Sequence, residues 1–278
     1  MIVVSAASGA FGLRVIDRLL AGGREGRVVA AVRTPDKVAH LAARGVEVRH
    51  GDYDRPDTLA TAFAGAERLL LISSPELDPE RRVRQHRAAV DAAHVAGVGV
   101  VVYTSFLGAD TEPGGLTAAH HATEQALRDS GVDHTLLRHP FYSEAFLHPG
   151  LKSAVDSGEL LDGTGGRALN TASRDDLAEA AARVLTEDHH TGRAYDFTGA
   201  LWTYPALADA LTRATGTPVV ARPRAERLPG AQGWLEDQIR AGALERRTDD
   251  LDTVLGHPAT SLDEAVAGLF GGVRADRG

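Results

Sequence analysis

The stretch VVSAASGAFG, residues 3–12, decides how the rest of the chain is read. A short apolar run ends in a turn carrying Gly9 and Gly12. In the strand-to-helix turn of a dinucleotide-binding fold, three glycines do separate jobs: one makes the tight turn, one lets the backbone approach a pyrophosphate, one lets helix pack on strand. The spacing here is Ala6-x-x-Gly9-x-x-Gly12, so the approach and packing positions are kept and alanine stands at the turn position. The helix that follows would offer unpaired amides and its dipole to an anion. Ser5, Ala7, Ser8, Gly9, Ala10, Phe11 and Gly12 are therefore candidate cofactor contacts. Taken alone the motif is weak, because an ordinary βα turn can look the same.

The surroundings strengthen it. Apolar runs at 2–5, 28–32, 46–49, 68–73, 100–105 and 134–138 alternate with amphipathic stretches at 12–22, 36–44, 57–64, 79–96 and 118–130. Such alternation predicts a Rossmann-type α/β fold, a doubly wound parallel sheet with helices on both faces. Ligands of such sheets bind beyond the carboxyl ends of the strands, at the switch point after the first one. Residues 171–185 read as a helix capped by Ser173 with Asp175 and Asp176 at its positive end, 194–199 as a strand, and 204–215 as a helix. This predicts a cofactor domain over 1–140 and a small, mostly helical substrate lobe over 141–278, with the 194–199 strand free to rejoin the first domain. No linker marks the boundary.

Composition narrows the function classes. The 278 residues contain no cysteine, which excludes disulfides, thiolate metal sites and cysteine nucleophiles. A net charge of −8 argues against nucleic acid as a partner. The one basic run, ERRVRQHR (80–87), falls on a predicted helix and reads as a solvated face. The apolar runs are too short to span a bilayer. The chain enters a strand at Ile2 without a basic leader, which points to the cytoplasm.

Further polar residues fall on the same rim as the glycine turn. Arg33 stands at the end of the second strand, where an acidic residue selects NAD and an arginine accommodates the 2′-phosphate of NADP. Lys37 follows one helical turn later, so NADPH is expected over NADH. Asp52 follows the third strand as a candidate acceptor for the adenine amino group. Ser73 and Ser74 after the fourth strand, and Thr104 with Ser105 at the end of the fifth, line the path towards a nicotinamide.

With SAASGAFG, AAVRTPDKV, LLLISS, VVYTS, TLLRHPFYSEAFL and LGHPATSLDEAV together, the chain resembles the atypical short-chain dehydrogenase/reductases of the NmrA-like group, most closely the type 2 NAD(P)H:quinone oxidoreductases. The resemblance covers nearly the whole chain and departs chiefly at Ala6. It implies an NAD(P) cofactor and a quinone or other conjugated carbonyl as acceptor. It also implies that 139–146 passes the nicotinamide, with Pro140 and Phe141 near its carboxamide.

The wider superfamily reduces carbonyls with a Tyr-x-x-x-Lys pair on the helix after the fifth strand. Counted back from Glu124, Leu116 takes the tyrosine position and His120 the lysine position. No lysine lies between Lys37 and Lys152, so no shift of register restores the pair. Hydride addition to an isolated ketone gives a very basic alkoxide, whereas a quinone or a quinone-like polycyclic ketone gives a phenolate-type anion. Phenol-type oxygen has a pKa near 10 against roughly 16 for water, a difference on the order of 8 kcal/mol that the protein need not supply. A quinone or polyketide-type aromatic ketone is the consistent acceptor. Ser105 as a hydrogen-bond donor and His120 as a proton relay are the candidate catalytic residues; a polar helix face explains His120 as well.

Phe141, Tyr142 and Phe146 are three aromatics within six residues in a chain only 5% aromatic, which marks them as candidate walls for a flat substrate. No metal is expected: His120-His121 and His189-His190 are adjacent pairs rather than the i, i+4 spacing that puts two ligands on one helical face. A serine hydrolase is excluded by the lack of a G-x-S-x-G elbow. The competing reading is a non-catalytic redox sensor that binds NAD(P) and turns nothing over.

Overall fold

The apolar runs become the strands of one parallel sheet in a computed structural model, which describes residues 1–111 and 114–270. The chain begins β1 (Ile2–Ser5), α1 (Ala10–Ala21), β2 (Val28–Val32), a 3-10 segment over Pro35–Arg44, β3 (Glu47–His50) and α2 (Pro56–Phe63). It continues through β4 (Arg68–Leu71), α3 (Pro79–Val95), β5 (Val100–Phe106), α4 (Ala118–Ser130) and β6 (Asp133–His139). Then come β7 (Phe141–Tyr142), α5 (Lys152–Ser157), β8 (Glu159–Asp162), β9 (Leu169–Ala172), α6 (Arg174–Val184) and β10 (Ala194–Asp196).

The seven-stranded sheet has the order β10-β6-β5-β4-β1-β2-β3, and every pairing within it is parallel. The order reverses between β1 and β4, so the switch point lies where the glycine turn leaves the sheet. β1 and β2 are buried along their whole length, as strands covered on both faces must be. On one face Val3, Val29, Leu69, Leu71, Val101 and Tyr103 pack with Leu59 and Phe63 of α2, Ala89 and Ala93 of α3, and Leu127 of α4.

Two compact units emerge, and the expected border near residue 140 is not a single cut. The first comprises Met1–His139 and Leu177–Phe197; the second comprises Pro140–Asp176 and the chain from Thr198 onward. Most of α6 and all of β10 thus belong with the parallel sheet, because β10 pairs with β6 from Ala194↔Leu136 to Asp196↔Arg138.

The second unit is mostly helical, as its sequence implies, and also carries short strands that the sequence did not show. β11 (Ala200–Trp202), β9 and β7 form a three-stranded sheet, and β12 (Val220–Pro223) pairs with β8. Strands of two to four residues are too short to display an alternating pattern, and the anticipated helix over 171–185 starts only at Arg174 because Thr171 and Ala172 end β9. Ser173 caps that helix as its sequence implies, its Oγ accepting from the Asp176 amide at 3.0 Å. The helices α7 (Tyr204–Thr215), α8 (Gly230–Arg240), α9 (Asp250–Leu255) and α10 (Leu262–Phe270) complete the described chain. Trp202, Leu207, Leu211, Ile239, Val266 and Phe270 form this unit's core. Among the described residues no helix is long and apolar enough to cross a membrane.

Candidate functional site

The β1–α1 turn presents its backbone outward. Ser8, Gly9 and Ala10 are exposed at its tip, while Ala7, Phe11 and Gly12 are buried behind it. Gly9 occupies the N-cap of α1 with no side-chain cap and no acidic residue in the first turn, so the positive end of the helix stays open to an anion. The two glycines divide their work as the motif requires. A Cβ on Gly12 would lie 2.8 Å from Ala7 Cα, whereas one on Gly9 would meet nothing nearer than Ala6 O at 3.4 Å. Gly12 is thus required by packing, and Gly9 is not required by the protein's own atoms. Ala6 adopts φ +47°, the left-handed conformation that usually selects glycine.

At the end of β2, Arg33 and Lys37 are both exposed, and their side chains form no ion pair or hydrogen bond among the described residues. Asp52 is half-buried, and its Oδ1 accepts from the Asp54 amide. These residues are open to a ligand.

Several of the expected hydroxyls are not. Ser5 Oγ donates to Leu70 O at 2.9 Å and lies 2.6 Å from Tyr53 Oη, fastening β1 to β4 instead of facing outward. Ser74 is buried, with Oγ donating to Gln85 Oε1 and its amide donating to His86 Nε2. Thr104 Oγ1 accepts from the Ser73 amide. Ser105, expected to donate to the acceptor, is 3% exposed and gives its proton to Glu124 Oε1 at 2.6 Å. That carboxylate needs every donor it has. Burial alone would raise its pKa, but the bonds from Arg138 and Ser105 outweigh burial and the net shift is downward. Arg138 joins Glu124 at 2.8 Å, Asp110 at 2.9 Å and Asp196 at 3.2 Å, a buried charge cluster tying β6 to α4 and β10.

His120 departs from the expected proton relay. It is buried, with Nε2 2.9 Å from Arg82 Nη2 and Nδ1 2.9 Å from Tyr103 Oη. Arginine can only donate, so Nε2 must carry the lone pair and Nδ1 the proton. Burial, reinforced by the Arg82 charge, holds its pKa well below the usual histidine range. His86 behaves alike: Nε2 accepts from the Ser74 amide, Nδ1 lies 2.8 Å from Thr123 Oγ1, and burial pushes its pKa down to about 3. Tyr103, fully buried between them, has its pKa raised by burial. His121 points elsewhere, its Nδ1 2.8 Å from Ala109 O. Leu116, at the tyrosine position, is 40% exposed in a 3-10 turn before α4.

The polar chain through Arg82, His86, Tyr103 and His120 was not legible as a site. ERRVRQHR reads as a solvated face, yet Gln85 and His86 are buried and Arg82 half-buried. The available signal was periodic: 82, 85–86, 89 and 93 form one stripe whose later members are small alanines.

In the second unit, Pro140 is buried, whereas Phe141, Tyr142 and Phe146 are half-buried. Phe141 and Phe146 meet edge to face at 6.3 Å, Phe146 and Trp202 at 5.8 Å, and the Arg174 guanidinium lies 4.5 Å above the Tyr142 ring. Phe146 therefore belongs largely to the core around Trp202. Glu187, His189 and His190 bring ligand atoms within 4.8 Å of one another, but His190 already bonds Glu187 through Nε2 and Tyr195 through Nδ1.

Comparison with known proteins places the chain in a family. Residues 6–188 match the model of an NAD(P)H-binding family. The chain is 38% identical to quinone oxidoreductase 2 of Escherichia coli, over 97% of this chain and 99% of that protein. The crystal structure of that NADPH-dependent enzyme with NADPH superposes with a TM-score of 0.86, covering 97% of this chain and 100% of that one. Triphenylmethane reductase of Citrobacter sp., complexed with NADP(H), is 35% identical with a TM-score of 0.92 and coverage of 97% and 100%. An NmrA-like family oxidoreductase of Aspergillus flavus is 31% identical over 79% of this chain and 73% of its own length. The chain belongs to the NAD(P)H-binding family, in the NmrA-like group of atypical short-chain dehydrogenase/reductases.

Proposed function

We propose that the protein is an NADPH-dependent reductase of quinones or of quinone-like conjugated ketones. The observation that carries this reading is the fate of the hydroxyls around the superfamily's acid position. Leu116 replaces the tyrosine, Ser105 gives its proton to Glu124, and Tyr103 is sealed in the core. With none of these three positions able to protonate a substrate, the arrangement suits an acceptor whose reduced form is a weakly basic, phenolate-type anion.

The residues present fit the cofactor. The outward tip Ser8–Ala10 meets the open positive end of α1, and Gly9 leaves room for a phosphate to approach. Arg33 and Lys37 supply unpaired positive charge at the end of β2, suited to a 2′-phosphate. Asp52 offers an acceptor to the adenine. Ser73 and Thr104 hold the β4 and β5 ends. When bound, NADPH supplies a hydride with its electron pair. The chain's part is to bind it, to offer Phe141 and Tyr142 as aromatic surface to a flat acceptor, and to leave the final proton to water.

Two measurements test this. NADPH consumption followed by absorbance should accelerate with simple quinones or polycyclic aromatic ketones and not with isolated aliphatic ketones. If the cofactor binds and no conjugated acceptor is reduced, while calorimetry separates NADP⁺ from NADPH, the sensor reading replaces this one. Arg33→Ala should weaken NADPH binding by about tenfold or more, the worth of a charge-assisted contact, and leave NADH nearly unchanged. Equal losses for the two cofactors would remove Arg33 from the 2′-phosphate.

A further inference from the structure

We propose that Arg82 stabilises the oxyanion of the reduced acceptor, supplying from α3 the positive charge that the superfamily's lysine supplies from α4. The assignment rests on the reductase reading above and adds to it a residue and a binding chemistry: a guanidinium site for a phenolate-type oxygen.

Arg82 lies in the first turn of α3, against the carboxyl ends of β4 and β5. Its Nη2 donates to Ser73 Oγ at 3.2 Å and to His120 Nε2 at 2.9 Å. Both partners are neutral. Its Nε is buried with no hydrogen-bond partner, and no carboxylate lies within ion-pair distance among the described residues. Of the other arginines on the same run, Arg81 pairs with Asp54 and Glu76 and Arg84 with Glu80, while Arg87 is exposed to solvent. In a chain with 38 acidic and 30 basic residues, a half-buried arginine left without an acid is out of place as a purely structural element. A desolvated charge needs a partner, and an unmade hydrogen bond at a buried donor is costly.

The groups packed around it keep that charge alone. His120 and His86 are held neutral, each with a fixed acceptor nitrogen. Tyr103 is buried in its protonated form. Glu124, one turn beyond His120, is saturated by Arg138, Arg128 and Ser105. The lysine position of α4 thus carries a histidine whose work is to hold the guanidinium by its lone pair. His120 is a positioning residue, and the cation reaches the site from the neighbouring helix.

The step balances simply. Hydride brings two electrons and one proton's mass to the acceptor, whose oxygen becomes a phenolate-type anion. The guanidinium donates charge-assisted hydrogen bonds to that oxygen without losing its own proton. Water then supplies the proton that completes the hydroquinone or phenol. One preorganised donor at a developing oxyanion is worth about 100-fold in rate.

The experiment uses the NADP⁺ complex of the full chain, with 4-nitrophenol as a coloured probe whose neutral and anionic forms absorb differently. The wild type should bind the anion preferentially and lower the probe's ionisation midpoint by about one unit, the effect of a nearby opposite charge. Arg82→Gln should abolish that shift, and Arg82→Lys should retain part of it. In single-turnover reduction of a benzoquinone, Arg82→Gln should slow the hydride step by about 100-fold with the NADPH Kd within about twofold of wild type. An equal midpoint in wild type and Arg82→Gln overturns the proposal. So does a large loss of NADPH affinity with the saturated rate intact, which would give the guanidinium to a cofactor phosphate. An Arg82-dependent shift in a protein that reduces no quinone would keep the anion site and reject the reductase reading instead.

Discussion

Ala6 holds a left-handed backbone, φ +47°, at the first of the motif's three glycine positions, the one that makes the tight turn. An L-residue there costs about 1–2 kcal/mol. Ala6→Gly should therefore raise the melting temperature by a few degrees, about 2–4 °C per kcal/mol for a protein of this size, while NADPH affinity stays within about threefold. A lower melting temperature would show that the methyl group packs usefully. The glycines predict a contrast. Gly9→Val should melt near the wild-type temperature, because its Cβ meets only Ala6 O at 3.4 Å and its φ of −77° and ψ of 159° suit a β-branched residue. The same variant should lose NADPH binding in a calorimetric titration. Gly12→Ala should instead cost about 1–3 kcal/mol of stability, since its methyl would press on the Ala7 backbone at 2.8 Å. A Gly9→Val protein that still binds cofactor would show that the pyrophosphate approaches elsewhere. These roles were legible in the spacing of the motif; the strain at Ala6 was not, because φ is set by how β1 hands over to α1.

The element that sequence reading described least well is α3. Its inward stripe is polar, and a polar stripe looks like a solvated face until the partners are known. Those partners, Thr123 and His120 of α4, Tyr103 of β5 and Ser74 after β4, come from segments far apart in sequence. The consequence is a buried set of neutral imidazoles whose acid titration opposes folding. Burial pushes His86 and His139 down to about 3 from an ordinary 6.5, and His120 shifts the same way. The unfolded chain therefore binds more protons than the folded one between pH 6.5 and 3, so stability rises with pH in that window and is lost as pH falls through it. His86 and His139 together should remove about 4 kcal/mol of unfolding free energy between pH 7.5 and 5. Urea titrations at the two pH values measure this. His139→Phe, placed between the Phe11 and Phe197 rings that flank it at 5.3 and 5.9 Å, should remove about 2 kcal/mol of that pH dependence, leaving the share of His86 and His120. An unchanged slope would mean that His139 is not the neutral, buried group described.

At the scale of the whole molecule, the parallel sheet was readable because most of its strands are buried apolar runs separated by helical periods. Six of its seven strands lie in the first half of the chain, where pattern and topology agree. The second unit resisted for a geometric reason: β7, β8, β9, β11 and β12 are two to four residues long and are held by pairings that no local pattern encodes. The redistribution of the site hydroxyls was hidden in the same way, since Ser105 and Glu124 meet only once β5 and α4 are side by side. The chain also crosses between the units three times, after His139, after Asp176 and after Phe197. During synthesis from the N-terminus, the sheet is therefore left unfinished for more than fifty residues after β6 has emerged. Throughout that interval β6 is an open edge, and the buried Arg138 lacks the Asp196 carboxylate that later joins it at 3.2 Å. Completion of the nucleotide-binding unit therefore follows the Pro140–Asp176 part of the second unit, and a nascent chain stalled before Ala194 leaves the β6 edge open to pairing with a neighbour.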